Sequence, residues 1–314
     1  MNINEKRPFL ADKRGCLLLA LIYTFLWGSA FPLVKICMDA FGTADGANAS
    51  KCLVAGLRFT ISGGALLLIC LFRRKKDTPA EEPVSLKKSL PAVLLYGLLA
   101  TALQYGLTYI GLSYVDGSRA AVYDQLAVFF VILSSGLFFR DDKLTLPKIL
   151  GCIIGFAGAV MVSITGWSLS FSWGEGLLVL GAVVQAAACL LAKRVSGVTS
   201  PFVLIGGGQF TGGAVLILGS LALGGNLPQF NATAFGSLAA LAFISAAAYV
   251  LSVMPLKYHP ASEISVYNLL IPVFGGIMSA VILKEQIFSA TYLLAVALIV
   301  AGIALVNVQI RNRK

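Results

Sequence analysis

The chain has 314 residues, of which 58% are hydrophobic and 12% charged, with a formal net charge of +10. Soluble domains average about 25% charged residues. Half that density, over apolar runs of about 20 residues that recur from end to end, excludes a soluble enzyme and indicates a polytopic membrane protein. The positive charge does not point to nucleic acid, because the basic residues cluster between the apolar runs as topology determinants do.

In chain order, a membrane-length window places ten helices at roughly 15–37, 52–72, 91–113, 117–138, 145–165, 174–194, 201–223, 234–254, 260–282 and 288–309. The first follows a basic flank (Lys6, Arg7, Lys13, Arg14) that mimics a secretion signal with a conceivable cut after Ala30. Its apolar run continues past that point, so it reads as an uncleaved span. Trp27 and Ser29 lie mid-span, away from the interfacial belt where tryptophan usually sits. Lys35 and Arg58 fall near the outer ends of the first two spans and read as snorkelling cations, with attraction of an anionic group as the alternative. Cys37 and Cys52 flank the intervening loop and could pair on an oxidising side. The six cysteines otherwise lack CxxC spacing and indicate neither zinc nor a disulfide framework.

"KKDTPAEEP" (75–83) breaks the chain before the third span, which carries Gln104, Tyr105 and Tyr109. The fourth begins "GSRAAVYDQLAVFF" (117–130) and sets Arg119, Tyr123, Asp124 and Gln125 in apolar surroundings. Asp124 lies ~10 Å down a helix starting at Gly117, too deep for a short side chain to reach water easily. It is expected to bind a proton or a substrate ammonium, or to pair with Arg119 or Arg58. The turn "RDD" (140–142) reads as topology decoration, and Gly151, Gly155, Gly158, Gly208 and Gly212 as close helix packing. Gln185 stands mid-span in the sixth helix, Tyr249 in the eighth, and Tyr267, Asn268 and Pro272 in the ninth.

Counting Lys and Arg on alternate sides leaves only Lys35, Lys51, Arg58, Arg119 and Lys284 on one of them, which puts both termini in the cytoplasm. Residues 123–162 also align without a gap over 267–306. Tyr123 meets Tyr267, Asp124 meets Asn268, and Ala157-Gly158 meets Ala301-Gly302. Upstream in the same register Tyr105 meets Tyr249. Each half holds five spans, and five is odd, so the second half enters the membrane from the opposite side. Such inverted repeats belong to secondary transporters, whose substrate site lies near the midplane between the repeats.

"LWGSAFPLVK" (26–35), "LRF" (57–59), "IPVFGGIMSAVILKEQI" (271–287) and "ALIVAGIALV" (297–306) resemble the EamA-like branch of the drug/metabolite transporter superfamily. The resemblance implies ten helices in two inverted five-helix repeats around a central cavity. It also implies movement of amino acids, metabolites or drugs, commonly outward. One position departs from the family: its fourth span usually carries a proline matching Pro272, and here that place is Val128. The fourth span is therefore expected to lack the bend of the ninth.

The expected protein is all-α and polytopic, with ten transmembrane helices as two inverted five-helix repeats. Residues 1–14 form a cytoplasmic tail, 15–165 and 174–309 the repeats, and 310–314 a second tail. The function read from this is alternating-access transport of a small metabolite, amino acid or drug-like molecule, with export favoured. A channel or receptor is the alternative, and an intramembrane enzyme is less favoured. His259 is the only histidine and sits in a turn, which excludes a histidine relay or zinc centre, and no Walker motif supports an ATP-driven pump. The substrate-binding residues are expected to be Trp27, Ser29, Gln104, Tyr105, Tyr123, Asp124, Gln125, Gln185, Tyr249, Tyr267 and Asn268, with Pro272 conformational. No cofactor or metal is expected. The partners are the lipid bilayer, a small-molecule substrate and, as an open coupling ion, protons. Nothing in the sequence fixes the oligomeric state.

Overall fold

The computed structural model describes residues 9–43, 47–74, 86–111, 114, 117–140, 142–163, 173–283 and 290–311. Every regular element among them is helical. In hydrocarbon each backbone N–H and C=O must be satisfied within the segment, which a helix does and an isolated strand does not. The first helix, α1, spans Lys13–Phe41 and stops at Gly42, whose left-handed φ of 67° turns its N–H back onto the carbonyls of Met38 and Asp39. Ala30 lies inside this unbroken helix.

The next helix, α2, spans Asn48–Arg74. The third apolar run is less regular than its sequence suggests. It comprises α3 (Leu86–Gly97), a π-helical turn at Leu98–Leu103 and α4 (Gln104–Gly111). Then come α5 (Gly117–Phe138), α6 (Leu146–Ser163), α7 (Trp173–Val195), α8 (Pro201–Ala222) and α9 (Ala232–Val253), the last extended by a 3₁₀ turn at Met254–Lys257. The ninth run divides into α10 (Ala261–Val266), a 3₁₀ turn at Tyr267–Leu270 and α11 (Ile271–Leu283), and α12 (Ala290–Arg311) follows.

The expected contrast between α5 and the ninth run is present. Val128 sits in a continuous helix, whereas Pro272 lacks an N–H and its ring crowds the carbonyl of Asn268, four residues earlier. The tightened turn at Tyr267–Leu270 falls at that place.

Among the described residues seven helices are long and apolar enough to cross a membrane. Shorter apolar stretches lie at Tyr123–Phe138, Leu146–Gly158 and Leu293–Val306. Outward faces carry large apolar side chains, such as Leu18, Phe25, Leu71, Leu137 and Phe243, which suit lipid. Inside, α2 packs on α8, α6 on α12, and α1 on both α9 and α11. The helices α4 and α5 both pack on α7, α3 packs on α8, and α2 also meets α9.

The glycine spacing read from the sequence marks two of these seams. A Cβ on Gly302 of α12 would come within 2.5 Å of the carbonyl oxygen of Gly151 on α6, and one on Gly212 of α8 within 2.3 Å of that of Gly97. Only hydrogen fits there, so the helix backbones touch.

Candidate functional site: a core cavity with unpaired polar atoms

Six apolar runs converge on one space of about 70 Å³. Trp27 enters it from α1, Tyr96 and Ala100 from the third run, and Gln104 from the start of α4. On α5 the wall is Ala127, Val128 and Val131; on α7 it is Gln185, Ala188, Cys189 and Ala192. Tyr249, Ser252 and Val253 come from α9, and Ile264, Ser265 and Asn268 from the start of the ninth run. The i, i+3, i+4, i+7 spacing on α7 is that of one helix face, and its alanines leave the room that larger side chains would fill. Ala192, Leu256 and Ile264 lie close to the ends of their elements, so the space extends toward the end of the bundle where α1 begins.

The polar atoms of this wall are poorly satisfied. Nε1 of Trp27, Oε1 of Gln185 and Oδ1 of Asn268 are buried and have no hydrogen-bond partner among the described residues. Each costs about 1–3 kcal/mol if nothing supplies one. One donor and two acceptors from three elements therefore face a common space, which is the composition of a small-molecule pocket. Cys189 and Ser265 approach each other at 3.6 Å on the same wall.

On the far side of Tyr249 lies a cluster of edge-on and tilted rings. Trp27 meets Tyr249 edge-on at 5.1 Å and Tyr23 at 5.4 Å, and Phe59 lies 4.4 Å from Tyr105 and 6.3 Å from Tyr249 between ring centroids. The hydroxyls of Tyr105 and Tyr249 share a hydrogen bond of 2.9 Å. Tyr23 donates to the carbonyl oxygen of Ile264 at 3.1 Å, which ties α1 to α10.

Of the residues expected from sequence, Trp27, Gln104, Gln185, Tyr249 and Asn268 line the cavity, and Tyr105 bonds the Tyr249 hydroxyl. Ser29 does not reach it, because its hydroxyl donates at 2.7 Å to Leu26 O in its own helix. Tyr123 packs against Leu178, Gln125 is buried away from the space, and Tyr267 lies in the main core cluster with Tyr23. Asp124 also lies outside the wall. It precedes Ala127, Val128 and Val131 by three, four and seven residues, so it heads the same stripe of α5 one turn beyond the cavity.

The pairing of Asp124 with Arg58 is not formed. Arg58 Nε donates at 2.6 Å to Ser245 Oγ, and the guanidinium carbon lies 5.1 Å from the Phe59 ring centroid. The side chain of Arg119 lies outside the described residues. Arg58 does not snorkel either; it is 4% exposed, whereas Lys35 is exposed. Cys37 and Cys52 are free thiols: Cys37 packs with Leu238 and Leu241, whereas Cys52 belongs to the main core.

Sequence reasoning missed Tyr96, Ser252, Cys189 and Ser265. Two carried a signal, since Cys189 lies four residues after Gln185 and Ser265 three before Asn268, each on its neighbour's face. It also misread Asp142 in the turn between α5 and α6, which is fully buried and not a surface decoration. Its carboxylate accepts from Lys148 Nζ at 2.5 Å, from the backbone N–H of Ser262 at 2.9 Å and from the Ser262 hydroxyl. Asp141 lies outside the described residues. Nearby, Lys193 Nζ donates to Leu256 O at 2.9 Å and His259 O at 2.8 Å, and His259 bonds Leu10 O at 3.0 Å through Nε2. Among the described residues no group of three or more His, Cys, Asp or Glu is placed to hold a metal ion.

A multi-pass helical protein whose core cavity is walled by unpaired polar groups from both halves of the chain has the plan of a membrane transporter. The chain belongs to the EamA-like transporter family, whose sequence profile matches it twice, at residues 14–164 and 172–308. It is 29% identical to the uncharacterised transporter YvbV of Bacillus subtilis over 97% of this chain and 95% of that one. It is 26% identical to an S-adenosylmethionine/S-adenosylhomocysteine transporter of Chlamydia muridarum over 92% and 90% of the two chains. A probable terminal-alkyne amino-acid exporter of Streptantibioticus cattleyicolor is 25% identical over 53% of this chain and 51% of that one. A solved crystal structure superposes with a TM-score of 0.76 over 96% of this chain and 100% of its own at 18% identity, a likeness of fold alone.

Proposed function

We propose that this protein is a secondary transporter that moves a small metabolite, amino acid or drug-like molecule, and that the core cavity is its substrate site. The observation that carries the reading is the set of three unpaired polar atoms, on Trp27, Gln185 and Asn268, turned toward one space. A substrate with donors for Gln185 and Asn268 and an acceptor for Trp27 offsets their burial cost.

The proposed architecture is ten spans in two inverted repeats, 15–165 and 174–309, with both termini cytoplasmic. The helix pairings support it. Exchanging each span for its counterpart five positions on maps α2 with α8 and α6 with α12 onto themselves. The same exchange maps α1 with α9 onto α7 with α4, and α1 with α11 onto α7 with α5. In this orientation the cavity opens to the cytoplasm and the Tyr105–Tyr249 bond closes the outer path. Transport then consists of rocking one repeat against the other, with the bend before Pro272 as a hinge in the second repeat only. Tyr123, Gln125, Tyr267 and Ser29 fall outside the cavity wall of this state. Asp124, one turn beyond the wall, takes the role of substrate-amine anchor or proton carrier once the outer path opens. Export is the proposed direction, in keeping with the exporter name of one relative.

Purified protein in vesicles tests the reading. Amino acids, S-adenosylmethionine and aromatic amines are screened for thermal stabilisation, and each stabilising compound is tested by counterflow. Accelerated exchange of labelled for unlabelled compound, lost in Gln185→Ala and Asn268→Ala, is the expected result. Saturation-free flux with no acceleration makes the protein a channel, and consumption of the compound without uptake makes it an enzyme.

A further inference from the structure

Arg58 and Asp124 are two opposite charges in membrane-length helices, and among the described residues neither has a charged partner. The Arg58 guanidinium is inside the protein, and among the described residues it has one neutral acceptor, Ser245 Oγ, and no carboxylate within ion-pair distance. Its other N–H groups have no acceptor among the described residues. A buried guanidinium with a single hydroxyl is costly, and intramembrane charges that persist unpaired mark ligand or ion pathways.

The surroundings place this charge next to the site. Ser245 precedes Tyr249, a cavity-wall residue, by one helical turn, ~6 Å along α9. Phe59, under the guanidinium, touches both Tyr105 and Tyr249. Tyr105 lies within electrostatic reach of both Arg58 and Asp124. Arg58 thus sits beside Phe59 behind the hydrogen-bonded tyrosine pair, with the cavity in front of Tyr249.

We infer that Arg58 is an anion-recognising subsite that binds a carboxylate of the transported molecule when the Tyr105–Tyr249 bond opens. A planar carboxylate matches the free face of the guanidinium fork and accepts from two of its N–H groups at once. Ser245 fixes Nε and so sets the plane of the fork. The inference rests on the core cavity being the substrate site, and it narrows the substrate to molecules that carry a carboxylate beside an apolar or aromatic body.

Benzoate and benzamide test it, being alike in shape and differing in charge. Binding to the purified full-length protein is measured by calorimetry and thermal shift. Benzoate is expected to bind roughly tenfold or more tightly than benzamide. Arg58→Gln removes that preference, and Arg58→Lys keeps part of it. Equal affinities in the wild type, including no binding of either probe, or an unchanged preference in Arg58→Gln, overturn the assignment. If Arg58→Gln does not fold, the wild type decides: phenylglyoxal modification of Arg58, followed by peptide mass spectrometry, is slowed by benzoate and not by benzamide. Equal modification rates overturn the subsite. The cavity reading fails separately, when Gln185→Ala and Asn268→Ala leave the affinity for benzamide unchanged.

Discussion

Tyr105 and Tyr249 are 144 residues apart and join their hydroxyls at 2.9 Å between α4 and α9. They are also the residues that overlay when the first half of the sequence is laid on the second. In the proposed inverted-repeat architecture a residue meets its own counterpart only near the pseudo-two-fold axis, which is where this pair would lie. The hydroxyl pair is one bond between the halves, and in the proposed rocking of one half against the other it has to break.

That bond gives the first prediction. A neutral hydrogen bond contributes about 0.5–1.5 kcal/mol, so Tyr249→Phe and Tyr105→Phe each shift the balance away from this state, proposed above to be open to the cytoplasm, by up to roughly tenfold. Cys189 lines the cavity and reports the state. In a background with the other cysteines replaced, its alkylation by a membrane-impermeant maleimide from the cytoplasmic side falls in either variant. The double variant is no worse than the single ones, because one bond is removed either way. Additive losses would place the two hydroxyls in separate interactions.

The cavity residues predict opposite effects on stability and function. Asn268→Leu replaces an unpaired buried carbonyl by an apolar side chain, which relieves about 1–3 kcal/mol of desolvation cost. The melting temperature of the empty protein should rise, while substrate affinity falls about 5- to 150-fold, the same energy lost from binding. Gln185→Met should behave likewise. A variant that loses both stability and affinity would mark these groups as structural.

Much of this site was legible because a polar side chain mid-span has few bland explanations. Trp27, Gln104, Gln185, Tyr249 and Asn268 stood out on that ground, and all five face the cavity. The helices were legible where breakers bracket uniform apolar runs, as at Pro201–Ala222 and Ala232–Val253. The π turn at Leu98–Leu103 was not, since "LLATAL" is as apolar as its neighbours. That turn packs on α8, which is far away in sequence. Ser29 shows the limit at one side chain: its hydroxyl turns back to Leu26, a choice invisible in sequence. Arg58 shows it at long range, because Ser245, 187 residues on, holds it inside.

Asp124 separates two mechanisms. Asp124→Asn keeps the shape and removes the charge. If the carboxylate anchors a substrate amine, affinity for amine-bearing substrates falls at least tenfold, the scale of a lost charge-assisted bond, and that for neutral analogues does not. If it carries the coupling proton, affinity is retained while uptake no longer responds to an imposed pH gradient. Unchanged affinity together with unchanged pH response removes Asp124 from both roles.

The seam between α6 and α12 should tolerate no side chain. A Cβ at Gly302 meets the Gly151 carbonyl oxygen at 2.5 Å and the Gly155 Cα at 2.7 Å, all of it backbone that cannot swing away. Gly302→Val is expected to cost at least the ~1–3 kcal/mol of an overpacked core, read as a lower melting temperature and loss of monodispersity in detergent. Gly236→Ala is the control, with open space around its Cβ position, and should leave both unchanged.

Asp142 is the final case, and its sign follows from what remains after each change. Asp142→Asn leaves the Lys148 ammonium buried without its carboxylate and weakens the hold on the Ser262 N–H at the start of α10. Breaking one partner of a buried pair costs about 3–5 kcal/mol, because the other charge is stranded. Lys148→Met strands the carboxylate less, since Ser262 still donates to it twice, and should cost less than Asp142→Asn. The double variant removes both charges and should recover part of the loss, whereas a simple sum of the two single effects would mean that the charges do not interact. Thermal unfolding of the four proteins at one pH decides it. The pair joins the α5–α6 turn of the first half to α10 of the second, so the same variants should also slow counterflow in proportion to the freedom they give α10.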